Sequence, residues 1–262
     1  MHLILTGATG LVGGGALDVM VKMKDVTKIS ILSRRPVPMA EDLKDPRINV
    51  IIHKDFMKYD SELLSKLQGA KGCVWALGIS QNQVGREEYI KITKDYTVAA
   101  AQAFQGLASS PSSSDGSGER EPFNFVFVSG TGVTTKPGRF TQPYALVKGE
   151  TELALAELRK ANPLLHAMST RPAAVDPADH AALKPYVPAA PFLLASARTV
   201  LNPLFKRGWP SFHSPTEELG RVLTELAMGK HTDQFTASKD VEMLGEFPIL
   251  ENPALRRLAG LK

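Results

Sequence analysis

The stretch Leu3-Ile4-Leu5-Thr6-Gly7-Ala8-Thr9-Gly10-Leu11-Val12-Gly13, near the start of the chain, decides the expected fold. A short apolar run leads directly into three glycines spaced Gly-x-x-Gly-x-x-Gly, and a helical pattern follows. In a strand–turn–helix of this kind, the first glycine permits the tight turn, the second lets the backbone approach a pyrophosphate, and the third lets helix and strand pack closely. The sequence therefore predicts a dinucleotide site. The residues expected around the pyrophosphate are Gly7, Thr9, Gly10, Leu11 and Val12.

Apolar runs alternate with helical patterns along the first two thirds of the chain. Continuous runs rich in Val, Ile and Leu are typical of strands that are buried on both faces. The predicted strands cover residues 3–6, 28–32, 50–53, 73–77, 123–129 and 165–170. The predicted helices cover residues 11–23, 61–68, 87–104 and 144–161. Strands that alternate with helices imply right-handed crossovers, so we predict an α/β fold with a Rossmann-type, doubly wound parallel sheet.

Length and composition favour one cytoplasmic domain. The chain has 262 residues, 43% of them hydrophobic and 22% charged, which suffices for the core of a single domain over residues 1–262. One cysteine, Cys73, excludes an internal disulfide and suits a reducing compartment. No apolar run has the roughly 18 residues of a membrane-spanning helix, and no signal-peptide pattern is present. The net charge of +4 is spread along the chain, so we expect neither a nucleic-acid partner nor stable membrane insertion.

Two segments depart from the alternating pattern. Residues 106–122 are rich in Ser, Gly, Pro and charge, and they contain too few apolar groups to offset the entropy of ordering, which predicts a mobile insertion. Residues from about 172 to 262 are rich in proline and contain two helical patterns, 191–205 and 216–228. We expect this region to cover the substrate site, with a mobile apolar lid at about residues 185–213.

The end of the second predicted strand reads Ile31-Leu32-Ser33-Arg34-Arg35. A NAD site usually has Asp or Glu here to bind the ribose, and this chain has neither. Two guanidinium groups and a hydroxyl suit the 2′-phosphate of NADP(H), because arginine binds phosphate oxygens bidentately. The alternative is that both arginines are solvated loop residues. Further expected cofactor contacts, at positions that also fit ordinary loops, are Asp55, Ala76, Leu77 and Gly78.

A second group of residues begins the predicted helix 144–161. Tyr144 and Lys148 are four residues apart and lie on one helix face, so the ammonium can lower the pKa of the phenol and bind the cofactor ribose. A phenol whose pKa is lowered from about 10 toward the working pH can act as a general acid. Ser129, at the end of a strand, is placed to hydrogen-bond the substrate oxygen. Thr131 is the alternative, because the register of the following loop is open.

These motifs resemble the atypical and extended short-chain dehydrogenases/reductases, through the glycine turn, Ser129 and residues 144–150. The nearest likeness is to the Tat-interacting-protein-like oxidoreductases, and it is carried by Leu77-Gly78, residues 89–98, residues 147–150 and Arg171-Pro172. The resemblance covers most of residues 1–175. It implies NADPH binding, with Tyr144, Lys148 and Ser129 as catalytic residues and with Arg171 and Pro172 beside the cofactor. Many relatives have a glycine where this chain has Ala173, which would change the nicotinamide pose.

Taken together, these features predict an NADPH-dependent reductase. It would transfer hydride to a carbonyl or conjugated double bond of a small organic molecule, apolar or aromatic in character. Two alternatives remain open, namely a non-redox isomerisation, dehydration or cyclisation on the same fold, and an NADPH-sensing regulator. His213 lies near the expected substrate cleft, but a structural role is the safer interpretation because no metal ligand or nucleophile lies nearby in sequence. Helix pairing between subunits in related proteins also allows a homodimer.

Overall fold

The computed structural model describes residues 1–107, 121–187, 208–231 and 235–261. The strands are β1 (His2–Thr6), β2 (Lys28–Ser33), β3 (Ile48–Ile52), β4 (Ala70–Trp75), β5 (Phe123–Val128), β6 (Leu165–Arg171), β7 (Ala174–Asp176), β8 (His213–Pro215), β9 (Val241–Leu244) and β10 (Phe247–Glu251). The α-helices are α1 (Leu11–Lys22), α2 (Pro38–Leu43), α3 (Ser61–Leu67), α4 (Arg86–Ile90), α5 (Tyr96–Phe104), α6 (Pro143–Ala161), α7 (Thr216–Ala227) and α8 (Asn252–Leu258). Of the helices in these ranges, none combines the length and apolar character that crossing a membrane requires.

The main sheet has the order β3-β2-β1-β4-β5-β6-β10-β9 within the described residues. Its neighbours pair in parallel except for β10 and β9, which are antiparallel. The strand order reverses between β1 and β4. At such a reversal the connections leave toward opposite faces of the sheet and open a crevice outside the carboxyl ends of the strands. The topology confirms the predicted Rossmann-type fold.

The sheet separates two hydrophobic cores. Along β1, successive side chains alternate between them, with Leu3 and Leu5 in one core and Ile4 in the other. The first core also contains Leu17 of α1, and the second contains Phe104 of α5. Because both faces of each central strand are covered, polar residues do not alternate with apolar ones, and the strands read as continuous apolar runs.

The predicted helix 87–104 is irregular in the structure. Helix α4 runs into a π-helical segment, Lys91–Asp95, before α5 begins. Such segments are rare, and many of those that are known lie at functional sites. No residue type in this stretch signals the extra residue in the turn. The short helix α2 was not predicted either.

Part of the C-terminal region, which was predicted to cover the substrate site, joins the main sheet. Strand β10 pairs with β6 from Ile249 onward, and β9 forms the edge of the main sheet. The high proline content suggested irregular structure, but Pro248 precedes the residues that pair with β6, and proline is tolerated at the start of a strand. Strands β7 and β8 form a separate parallel pair. Most of the predicted insertion 106–122, the helical pattern 191–205 and most of the predicted lid 185–213 lie outside the described residues.

Candidate functional site

A cleft of about 670 Å³ opens at the carboxyl ends of β1, β4, β5 and β6, and its volume is typical of small-molecule sites. Its walls are the glycine turn 10–13, residues 76–80 after β4, residues 127–131 around the end of β5, and residues 172–175 after β6. Lys148 is the one charged side chain among the described residues of this wall. The cleft therefore coincides with the crevice that the reversal of strand order creates.

The glycine turn leaves bare backbone at the start of α1. Gly7 has a φ of +69°, and a Cβ there would lie 2.2 Å from the carbonyl oxygen of Ala76. A Cβ on Gly13 would lie 2.2 Å from the carbonyl oxygen of Gly7, so neither position accepts a side chain. No side chain caps the helix at Gly10. The amide groups of the first turn and the positive end of the helix dipole thus face the cleft, where they suit an anion.

The ends of β2 and β3 hold further residues that the sequence assigns to the cofactor. Arg34 and Arg35 are exposed, and Ser33 is buried, with its Oγ 3.4 Å from the backbone nitrogen of Arg35. Within the described residues, neither guanidinium group forms an ion pair. Asp55 is exposed, and its carboxylate accepts a hydrogen bond from the Met57 amide at 3.1 Å. These residues, like Thr9, lie on the carboxyl edge of the sheet but outside the wall of the cleft.

Lys148 of α6 lies in the cleft wall with its ammonium turned onto β5. Its Nζ donates to the carbonyl oxygens of Ser129, at 2.7 Å, and Val128, at 3.3 Å. The same nitrogen is 5.9 Å from the centroid of the Phe127 ring. Loss of hydration lowers the pKa of Lys148 to about 8, while the carboxylate of Glu152 opposes that shift. The structure therefore holds a lysine whose charge is sensitive to its surroundings.

Tyr144 precedes Lys148 by one helical turn and lies at the rim of the cleft. Its hydroxyl donates to the carbonyl oxygen of Thr131 at 3.3 Å, and Thr131 lines the cleft. Tyr144 itself is partly exposed and is not part of the cleft wall as the structure stands. The predicted tyrosine and lysine are thus brought together at the end of β5.

The two candidates for the third catalytic position differ in their surroundings. Ser129 Oγ is buried and has no hydrogen-bond partner among the described residues. A buried hydroxyl without a partner costs about 1–3 kcal/mol, so this group is suited to bonding an incoming ligand. Thr131 Oγ1 already donates to the carbonyl oxygen of Arg171 at 3.2 Å, and its amide donates to that of Pro172 at 2.9 Å. Both residues line the cleft.

The Arg171 side chain lies outside the wall of the cleft, whereas the resemblance places Arg171 beside the cofactor. Its side chain is buried and binds Glu152 through Nη2 at 2.5 Å and through Nε at 3.1 Å. Its Nη1 binds Glu251 at 2.7 Å. These carboxylates hold the guanidinium between α6 and β10. Pro172 and Ala173, which follow, do line the cleft.

His213 has a structural position. Its Nε2 is 2.9 Å from the carboxylate of Asp176, and both side chains are buried. This contact joins the paired strands β7 and β8. Two aromatic residues of the predicted lid lie in the described part of the chain: Phe212 lines the cleft and is 51% exposed, and Trp209 is 57% exposed. Phe192 and Phe205 lie outside the described residues.

Three polar residues of the cleft were missed by the sequence interpretation. Ser80 and Gln83 line it from the loop after β4, and Thr93 lines it from the π-helical segment. Ser80 and Gln83 lie in a polar loop where no motif marks them. Thr93 is placed by the irregular turn, which residue periodicity did not reveal.

Curated proteins that are similar to the chain include two that are named for biosynthesis clusters, and no family model matches it. It is 32% identical over 264 residues to leucinostatins biosynthesis cluster protein T of Purpureocillium lilacinum, an alignment that covers 94% of this chain and 92% of that protein. It is 36% identical over 162 residues to botcinic acid biosynthesis cluster B protein 16 of Botryotinia fuckeliana. That alignment covers 62% of this chain and 97% of the relative.

Solved structures share the fold at low sequence identity. The reductase domain of PhqB from Penicillium fellutanum has a TM-score of 0.62 at 14% identity, over 88% of this chain and 65% of that one. The dTDP-glucose 4,6-dehydratase DesIV from Streptomyces venezuelae has a TM-score of 0.60 at 16% identity, over 100% of this chain and 82% of that one. These structures share the Rossmann-type fold with the chain. Because the alignment with leucinostatins biosynthesis cluster protein T spans nearly all of both proteins at 32% identity, the chain belongs to the same family as that protein.

Proposed function

We propose that this protein is an NADPH-dependent reductase that acts on a carbonyl or conjugated double bond of a small, uncharged organic molecule. The observation that carries the proposal is that Lys148, the partner of Tyr144, lines the same cleft as the glycine turn 10–13. An anion site and an acid–base pair thus share one crevice. Membership of the Tat-interacting-protein-like subgroup is part of the proposal.

The residues present fit a nicotinamide dinucleotide. The bare backbone at the start of α1 would hold the pyrophosphate, because Gly7 and Gly13 leave no side chain in its way. Arg34 and Arg35 would bind the 2′-phosphate, since β2 ends without the carboxylate that a ribose hydroxyl would need. When bound, NADPH would supply the hydride.

The protein's own groups would manage the proton. Lys148, seated on the β5 carbonyl groups, would bind the cofactor ribose and favour release of the Tyr144 proton. Tyr144 would give that proton to the substrate oxygen as negative charge develops on it. The hydroxyl of Ser129, or that of Thr131, would hydrogen-bond the same oxygen.

The walls of the cleft favour an uncharged substrate. Apart from Lys148, the described lining residues carry no charge, and Phe212 presents an aromatic ring. Ser80 and Gln83 offer neutral hydrogen-bonding groups. Since two relatives are named for the biosynthesis clusters of leucinostatins and botcinic acid, we extend the proposal to an intermediate of such a biosynthetic route.

The test uses purified protein, NADPH and a panel of neutral aldehydes, ketones and enones. We expect reduced nicotinamide to be consumed and the product to gain a hydride and a proton. Tyr144→Phe should abolish turnover and leave NADPH binding nearly intact, because the ring packing is kept, whereas Lys148→Ala should weaken both. Full turnover by Tyr144→Phe would contradict the proposed role of the phenol. A product of unchanged oxidation state would favour isomerisation, dehydration or cyclisation, and binding without any turnover would favour an NADPH-sensing regulator.

A further inference from the structure

Lys148 shares its helix face with a buried carboxylate to which the proposed chemistry gives no role. Glu152 follows one turn later on α6, and side chains four residues apart lie next to each other on a helix. The Glu152 side chain is 0% exposed. Ser169 Oγ donates to its Oε1 at 2.8 Å, and Arg171 contacts both of its oxygens, at 2.5 and 3.1 Å. Both of these partners belong to β6.

The residues that contact the Lys148 ammonium and the Glu152 carboxylate lie on adjacent strands of the sheet. Ser169, which binds Glu152, pairs in register with Phe127 of β5. The Nζ of Lys148 is 5.9 Å from the centroid of the Phe127 ring. The two charged groups of α6 therefore rest on neighbouring positions of two paired strands.

The charges around Arg171 do not balance. Its guanidinium contacts Glu152, Glu251 at 2.7 Å and Glu242 at 3.5 Å, so three carboxylates share one positive charge. The side chains of Glu251 and Glu242 are each 31% exposed, and water screens their charge, whereas Glu152 has no such screening. Of the elements packed against α6, β6 contributes Arg171, β10 contributes Glu251, and the π-helical segment contributes Lys94, which pairs with Glu150 of α6 at 2.8 Å. Glu242 of β9 reaches the same cluster through Arg171.

We propose that Glu152, held by Arg171, is a positioning residue for Lys148, and that its buried negative charge keeps the ammonium charged and seated on the carbonyl groups of β5. Burial alone disfavours a charged lysine, because the ammonium loses its hydration. Burial lowers the pKa of Lys148 to about 8, and the carboxylate of Glu152 limits the fall. Arg171 fixes the direction of that carboxylate by binding both of its oxygens. The inference rests on the proposed function only for the task that Lys148 performs.

Ionisation of Lys148 can be measured without cofactor or substrate. In the full chain, lysines labelled with carbon-13 at Cε report the titration of each Nζ by NMR, and Lys148→Arg assigns the signal. We expect the wild-type signal to titrate near pH 8. In Glu152→Gln it should titrate lower, by roughly one pH unit, because the carboxylate that favours the charged lysine is gone.

Glu251→Gln is the matched control, because it removes a carboxylate from the same guanidinium, at Nη1, while Glu152 keeps its contacts with Nε and Nη2. We expect it to lower stability without moving the Lys148 titration. An equal shift in both variants, or no shift in Glu152→Gln, would overturn the proposal and leave an ion pair with a structural role alone. If Glu152→Gln does not fold, the double variant Glu152→Gln, Arg171→Gln is compared with Arg171→Gln, so that the two proteins differ only at Glu152. An equal Lys148 pKa in these two proteins would also overturn the proposal.

Calorimetric titration of the same proteins with NADPH separates this inference from the proposed function. If Glu152→Gln lowers the pKa of Lys148 but the wild type does not bind NADPH, the positioning role is supported and the proposed cofactor is contradicted. If the protein binds NADPH and the pKa of Lys148 is the same in the wild type and in Glu152→Gln, the proposed cofactor is supported and the positioning role is contradicted.

Discussion

Arginines lie at two places on the carboxyl edge of the sheet, in opposite surroundings. Arg34 and Arg35 follow β2 and are exposed, and no ion pair within the described residues uses their charge. Arg171 ends β6, is 3% exposed and contacts three carboxylates. An exposed guanidinium without an ion pair can bind an anionic ligand, whereas a buried guanidinium that already binds carboxylates cannot. Position at the end of a strand is therefore insufficient to identify a ligand-binding arginine, and the charges around it decide.

The largest expected effect is on stability. Arg171→Met should lower the free energy of unfolding by about 3–5 kcal/mol, because Glu152 would remain buried without its counter-charge. Arg34→Met should change it by less than about 0.5 kcal/mol, as is usual for exposed positions. Urea denaturation of the three proteins measures both values.

A second variant checks the cause of that loss. Replacing Arg171 and Glu152 together by methionine removes both buried charges, and it should recover much of the stability lost in Arg171→Met. If the double variant is as unstable as the single one, the loss comes from packing at Arg171 and not from an unpaired carboxylate.

The pH dependence of stability should report the lowered pKa of Lys148. The pKa of Lys148 is about 8 in the folded protein and 10.5 in an unfolded chain, so the unfolded state binds more protons between these values. The cost of burying the charged lysine is therefore complete below about pH 8 and is relieved as the pH rises toward 10.5. Relative to Lys148→Met, the wild type should gain about 2–3 kcal/mol from about pH 7 to about pH 10. Parallel curves would show that Lys148 is not perturbed.

The features that the sequence predicts are those marked by residues close together in the chain. Strands β1 to β6 are marked by continuous apolar runs, and the tight turn after β1 is marked by Gly7, Gly10 and Gly13. Tyr144 and Lys148 lie on one helix, so their spacing alone places them together. In each of these cases the residues that carry the signal lie within about one element of each other.

What escaped prediction depends on long-range contacts. Arg171 binds Glu251, 80 residues further along the chain, and no local pattern marks that pair. Strand β10 takes its place beside β6 through a pairing of the same range. Thr93 lines the cleft from the π-helical segment, and no pattern in the surrounding residues marks that segment. Tertiary packing decides all three features.

The preference between NADPH and NADH tests whether the exposed Arg34 and Arg35 bind a ligand. Replacing Arg34 and Arg35 together by alanine should weaken NADPH binding by about 1–3 kcal/mol and leave NADH binding nearly unchanged, because only NADPH carries the 2′-phosphate. Calorimetric titration of both cofactors gives the four dissociation constants. NADH binding as tightly as NADPH to the wild type would rule out phosphate recognition at the end of β2.

The smallest expected effect is the response to salt. Charges in contact with water are screened over a Debye length of about 10 Å at 0.1 M salt and about 3 Å at 1 M, whereas buried pairs are screened much less. Added sodium chloride should therefore weaken NADPH binding more than NADH binding in the wild type. The two slopes should become equal when Arg34 and Arg35 are both alanine. The stability lost in Arg171→Met should stay constant over the same range, because Glu152 is fully buried. Equal slopes for NADPH and NADH in the wild type would mean that the exposed arginines do not contact the phosphate, and a salt-dependent loss in Arg171→Met would mean that water reaches the buried cluster.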